Sequence, residues 1–291
     1  MTYPKPFDFK NYLSLVKFSH TIFALPFALI GYFLAIYQTD SIFTIKLFVL
    51  VLLCMVFARN AAMSFNRVTD RFIDKRNPRT ASREIPSGKI HPRDAFIFSM
   101  LNSILFIATT FFMNRLVFYL SPLALLIILG YSYSKRYTVL CHFILGLGLS
   151  LAPIGAYLSV TGEWALTPLL FSTIVLLWVS GFDILYSIQD EEFDKEESLK
   201  SISAIFGWKK ARFISGFLHV VVVLLVIKVG FIINTRLYYW IAVAIFVSLL
   251  ALQHIVVKRN SEKRINFAFA SLNGLASLLY ALFTIISFYI H

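Results

Sequence analysis

Nine apolar runs, each long enough to cross a bilayer, set the limits on this chain: 18–38, 43–65, 95–113, 116–134, 140–160, 165–187, 211–230, 237–257 and 266–289. A helix needs about 20 such residues to span the hydrocarbon, because lipid offers no partner to an open backbone N–H or C=O. The pattern predicts an all-α, polytopic membrane protein, a single transmembrane domain of nine helices over residues 1–291. A hydrophobic content of 58% fits no other class, since so apolar a chain has too little polar surface to remain dissolved in water.

The net charge of +12 invites comparison with nucleic-acid binders, but its placement argues for topology. Of the 27 lysines and arginines, 22 fall in 1–17, 67–93, 135–136, 195–212 and 258–264, all on one side of the predicted membrane. The other five are Lys46, Arg59, Arg115, Lys228 and Arg236, and Arg59 lies within the second span. This asymmetry predicts a cytoplasmic N-terminus and cytoplasmic polar loops in a multi-pass protein of the inner or plasma membrane. The expected partner is therefore the lipid bilayer, with no nucleic acid. Cys54 and Cys141 fall in apolar runs without a CxxC spacing and read as small hydrophobes.

The acids are equally uneven. Eleven of the 15 lie at two places: Asp70, Asp74, Glu84 and Asp94 after the second span, and Asp183, Asp190, Glu191, Glu192, Asp194, Glu196 and Glu197 around the end of the sixth. An offset of 120 residues lays Asp70 on Asp190 and Asp74 on Asp194, with Asn66 meeting Tyr186. On a helix, residues four apart share a face, so Asn66, Asp70 and Asp74 form one row of oxygen ligands. Asp190 and Asp194, with Asp183 and Tyr186 up to two turns earlier, form a second. Two facing rows of carboxylates repel unless cations sit between them, and Mg²⁺ suits a site of few carboxylates completed by phosphate oxygens. Glu191, Glu192, Glu196 and Glu197 read instead as an ordinary solvated surface.

Basic residues accompany both rows. Arg67, Arg71, Arg79 and Arg83 are interleaved with or follow the first, and Lys135 and Arg136 end the fourth span. Carboxylates, Mg²⁺ and guanidinium forks together suit a diphosphate. As single residues, Arg67, Arg79 and Arg83 read equally well as membrane-side anchors. No GxxxxGK[ST] loop or GxGxxG turn is present, which argues against nucleotide phosphates.

Three stretches carry a family resemblance: NRVTDRFIDKRNPRTASREIPSGKI (66–90), DILYSIQDEEFDKEE (183–197) and KFSHTIFALPFALIGYFLA (17–35). Over essentially its whole length the chain resembles the UbiA family of intramembrane aromatic prenyltransferases. The NxxxDxxxD run followed by R-T-x-x-R-x-[IL]-P-S-G is specific, and the second acidic motif stands where such a protein would have it. The resemblance implies a nine-helix bundle around a lipid-open cavity, in which Mg²⁺ binds a polyprenyl diphosphate and an aromatic acid is alkylated. It implies metal and diphosphate roles for Asn66, Asp70, Asp74, Asp190 and Asp194, and diphosphate binding by Arg71, Arg136 and Lys135. It further implies that Asp183 and Tyr186 face the reacting carbon, and that Lys17 and His20 lie near the acceptor carboxylate.

At Lys17 and His20 the chain departs from the arginine-and-lysine pair of 4-hydroxybenzoate enzymes. The FSHTIFALPFA and REIPSGKI wording resembles the branch linked to the futalosine route to menaquinone, a resemblance that implies 1,4-dihydroxy-6-naphthoate as the acceptor. The alternatives are a haem farnesyltransferase of the same family and a cation-binding transporter. Transport places acids near the bilayer midplane, whereas here they gather at one membrane face.

Overall fold

In the computed structural model, residues 9–16, 24–234, 237–259 and 261–290 are described. Among them every regular element is helical. A short helix α1 (Phe9–Leu15) precedes α2 (Leu25–Thr39), α3 (Ile45–Arg76), α4 (Pro92–Phe111), α5 (Arg115–Tyr137), α6 (Cys141–Thr161) and α7 (Leu166–Ser187). After a 3₁₀ turn at Ile188–Asp190 come α8 (Glu191–Glu196), α9 (Ile202–Ile232), α10 (Leu237–Val256) and α11 (Glu262–Phe267). A π-turn, Ala268–Leu272, then leads into α12 (Asn273–Tyr289).

Eight of the described helical stretches are long and apolar enough to cross a membrane, and α2 is a shorter apolar helix within the predicted first span. Their outer faces carry large exposed side chains such as Leu126, Phe213, Leu224 and Ile255, each more than half exposed, which water would not tolerate at this density.

Three boundaries differ from the sequence expectation. Helix α3 runs on to Arg76, well past the predicted 65, because its polar extension keeps helical spacing and Lys75 and Arg76 complement the negative helix end. It stops at Asn77, whose extended backbone (φ −82, ψ 117) is what the following Pro78 favours. Helix α9 begins nine residues before the predicted 211, with the Ser201 hydroxyl accepting the Ala204 N–H at 3.2 Å, and bends at Gly207, where φ is 75. The second acidic row is not one straight helix, since the 3₁₀ turn at Ile188–Asp190 separates Asp183 and Tyr186 from Asp194.

The packed half of the bundle centres on Trp178 of α7, fully buried against Phe27 of α2, Phe182 one turn on and Phe246 of α10. Helices α2 and α6 approach closely, for a Cβ at Gly31 would collide with the Pro153 carbonyl. The last turn of α5 grips the segment just before α9: the Lys200 N–H donates to the Lys135 carbonyl at 2.7 Å, and Lys200 Nζ donates to the Tyr137 carbonyl at 3.2 Å. Those contacts fix the chain just past the second acidic motif.

Candidate functional site

The polar extension of α3 carries the first row. Asn66 Nδ2 donates to Asp70 Oδ2 at 3.2 Å, as the four-residue spacing requires. Asp70 is 3% exposed and is held by two cations from the end of α5: Lys135 Nζ at 2.7 Å on Oδ2 and Arg136 Nη2 at 3.0 Å on Oδ1. Asp74, equally buried, accepts from Arg83 Nη1 at 2.7 Å on Oδ1, while its Oδ2 has no hydrogen-bond partner among the described residues.

Asp190 is met by the segment after α3. Arg79 donates to it from Nε and Nη2, Asn77 Nδ2 donates at 3.0 Å, and Arg79 Nη1 donates to the Tyr186 hydroxyl at 3.2 Å. Burial works against the charge of Arg79, but the bonds and attraction from Asp190 outweigh it and hold the guanidinium above its ordinary range. The Tyr186 ring packs on Phe269, in the π-turn, at 4.2 Å between centroids. Asp194, on α8, makes no ion pair among the described residues.

Basic side chains, then, neutralise the carboxylates that were expected to repel one another, and no ready-made cluster of three acids, histidines or cysteines exists among the described residues. The donor chemistry still fits a hard cation. Asp74 Oδ2 is a buried carboxylate oxygen without a partner among the described residues, and every candidate ligand is oxygen, the preference of Mg²⁺.

Beside this polar end lies an apolar cavity of about 330 Å³ between α3, α4, α5 and α6, lined by residues such as Cys54, Met55, Ile127 and Gly155. Among the described residues, Arg59 is the charged one in its lining. Tyr131 of α5 also lines it, and Arg59, Arg67, Asp70 and Asp183 all lie within electrostatic range of that phenol. One turn on along α5 stand Lys135 and Arg136, the cations that hold Asp70, so α5 joins the cavity wall to the first acidic row.

Not every expected residue is brought to this place. Arg71 turns outward: its Nη1 donates to the Val68 carbonyl at 2.7 Å and its guanidinium lies 4.2 Å over the Phe72 ring, beside a separate surface hollow shared with Arg76 and Arg136. Lys17 and His20 lie outside the described residues. Glu191 is 4% exposed and paired with Lys195 at 2.7 Å and Arg259 at 3.5 Å, so it is no solvated surface acid. Sequence reasoning passed over His142, which holds Asp183, and gave Arg59 no role. An arginine inside an apolar span was the available signal for Arg59.

Comparison with known proteins agrees with this architecture. The model of the UbiA prenyltransferase family matches residues 24–282. A 4-hydroxybenzoate octaprenyltransferase of Vesicomyosocius okutanii is 31% identical over 75% of this chain and 79% of its own length, and one of Photobacterium profundum is 31% identical over 69% and 70%. An apo structure of a UbiA homologue from Aeropyrum pernix K1 superposes with a TM-score of 0.83 at 31% identity, covering 92% of this chain and 97% of that one. A UbiA homologue from Archaeoglobus fulgidus, bound to DMAPP and Mg²⁺, shares the fold with a TM-score of 0.75 at 20% identity, over 97% and 100%. The chain belongs to the UbiA prenyltransferase family and is a multi-pass membrane transferase.

Proposed function

We infer that this protein transfers a polyprenyl group from its diphosphate to an aromatic acid of the 4-hydroxybenzoate or 1,4-dihydroxy-6-naphthoate type, in quinone biosynthesis. The observation that carries the reading is a pair of acidic rows, each held by cations, at the end of an apolar cavity whose wall runs along α5 from Tyr131 to the Lys135 and Arg136 that hold Asp70. The names of the relatives support an aromatic acceptor, and the Archaeoglobus protein supports a prenyl diphosphate with Mg²⁺. The clustering of basic residues supports a cytoplasmic position for the acidic end.

Asn66, Asp70, Asp74, Asp190 and Asp194 would hold Mg²⁺. When bound there, Mg²⁺ would supply positive charge to offset the negative charge that builds on the leaving diphosphate. Lys135, Arg136, Arg79 and Arg83, already poised on the carboxylates, supply donors to the same oxygens and stabilise them most as the allylic C–O bond breaks. The cavity walls accept the isoprenoid tail and keep water from the allylic cation. Arg59, the charged lining residue, receives the acceptor carboxylate. A ring carbon of the acceptor bonds to the allylic carbon, and the proton displaced from that ring carbon passes to Asp183.

The test is a membrane assay with geranyl or farnesyl diphosphate, Mg²⁺ and each acid, read by mass spectrometry. Prenylated product that disappears with EDTA, with Asp70→Ala and with Asp190→Ala is expected. Absence of product with both acids, in wild type and variants alike, overturns the reading.

A further inference from the structure

His142 belongs to neither acidic motif. It is the second residue of α6, is 3% exposed, and lies between α7 and the start of α9. Its Nδ1 is 2.7 Å from Asp183 Oδ2, and its Nε2 is 3.2 Å from the backbone nitrogen of Ile202. A backbone N–H only donates, so Nε2 must be the bare, accepting nitrogen. The ring proton of the neutral imidazole then sits on Nδ1 and is donated to the carboxylate. The backbone that carries the ring is itself tied to α7, because Ser180 Oγ donates to the His142 carbonyl at 3.2 Å.

The two bonds are not equivalent in what they demand. The Ile202 N–H is one of the open donors at the first turn of α9, and any acceptor could satisfy it. The bond to Asp183 needs a donor at one point, deep between two helices, aimed at one carboxylate oxygen. With Oδ2 committed, Asp183 keeps Oδ1 for another partner, and its side chain remains 22% exposed. Asp183 also lies within electrostatic range of Tyr131, at the cavity head.

We propose that His142 is a positioning residue for Asp183: its Nδ1–H fixes Oδ2 so that Oδ1 is presented to the aromatic acceptor. This rests on the reading of Asp183 as the group that takes the ring proton. His142 touches no substrate in this scheme and acts only through the carboxylate.

Two substitutions separate the bonds. Asparagine places an amide N–H near the position of Nδ1 and can still donate to Asp183, whereas glutamine places an amide oxygen near Nε2 and can still accept from Ile202. The experiment measures kcat and both KM values in membranes for wild type, His142→Asn, His142→Gln, His142→Ala, Asp183→Asn and the double variant His142→Ala/Asp183→Asn. His142→Asn is expected to keep most of kcat. His142→Gln and His142→Ala should lose about tenfold to a hundredfold, a part of what a positioned base supplies, with KM for the prenyl diphosphate unchanged. The double variant should be no worse than Asp183→Asn alone, because one removed partner leaves the other nothing to do.

The reverse ranking, with glutamine active and asparagine not, makes His142 a helix cap only and overturns the proposal. Nitrogen-15 spectra of histidine-labelled wild type give a readout that survives poor folding of any variant. A protonated Nε2 with bare Nδ1 overturns the proposal as well. Wild type that prenylates neither acid sinks the transferase reading and this role with it. Active wild type with asparagine no better than alanine sinks the role alone.

Discussion

Arg79 donates twice to Asp190, from Nε to Oδ1 at 2.9 Å and from Nη2 to Oδ2 at 2.6 Å, across 111 residues of chain. The planar fork thereby ties the segment after α3 to the turn after α7 and joins the two acidic motifs into one unit.

Replacing Arg79 by lysine keeps a charge but loses the fork. We expect Arg79→Lys to lower kcat/KM by about tenfold and Arg79→Ala by up to about a hundredfold, the range for lost charge-assisted bonds. Arg79 itself adds no pH dependence near neutrality. Because the folded value of Arg79 is raised, its stabilisation is complete below the ordinary arginine range and is lost only as pH climbs through the higher folded value. A wild-type pH profile and an Arg79→Lys profile of the same shape, displaced in rate, check this.

Asp74 offers the clearest test of metal binding. One of its oxygens holds Arg83 and the other has no hydrogen-bond partner among the described residues. Asp74→Asn preserves the shape and removes the charge. The Mg²⁺ concentration for half-maximal activity should rise by about tenfold or more, while saturating metal restores part of the rate. An unchanged Mg²⁺ titration would take Asp74 out of the ligand set.

The pattern that was legible from sequence lies along a single helix. Asn66, Asp70 and Asp74 read as one row, and α3 continues through them, so linear spacing maps onto a face. Arg79 and Arg83 follow Pro78, beyond the helix, where no period survives to say whether an arginine is an anchor or a partner. The link from His142 to Asp183 spans 41 residues and two helices, and a single histidine at the start of an apolar span carries no spacing signal at all. Adjacency in sequence is a weaker guide, since Arg71, next to Asp70, is turned about 100° from it on the helix. Its side chain settles on Val68 and Phe72 instead.

The close approach of α2 to α6 predicts a stability effect away from the chemistry. A Cβ at Gly31 meets the backbone of Pro153, which cannot rotate aside, whereas Gly155 on the same helix as Pro153 has open space around it. Gly31→Ala should destabilise the detergent-solubilised protein by about 1–3 kcal/mol, the usual cost of overpacking. Gly155→Ala serves as the control, and equal thermal midpoints for both variants would show that α2 and α6 can part at little cost.

Arg59 predicts a split between the two substrates. As the charged residue lining the apolar cavity, it has an acceptor carboxylate as its natural counterpart. Arg59→Leu should raise KM for the aromatic acid by about tenfold to a hundredfold, the loss expected for a charge-assisted bond, and leave KM for the prenyl diphosphate near wild type. A rise confined to the diphosphate would assign Arg59 to the other substrate.

The cavity itself governs how much isoprenoid the protein can bury. Gly155 lines it, and open space surrounds the position where its Cβ would stand. A phenylalanine there grows into the cavity and takes room from the far end of the tail. Each buried CH₂ is worth about 0.8 kcal/mol, so excluding even two of them costs about tenfold. Gly155→Phe should therefore reduce kcat/KM for farnesyl diphosphate relative to geranyl diphosphate by at least that factor, with the shorter substrate little affected. An unchanged ratio would mean that the tail leaves the reacting centre by another route, and that the space between α3, α4, α5 and α6 holds something other than isoprenoid.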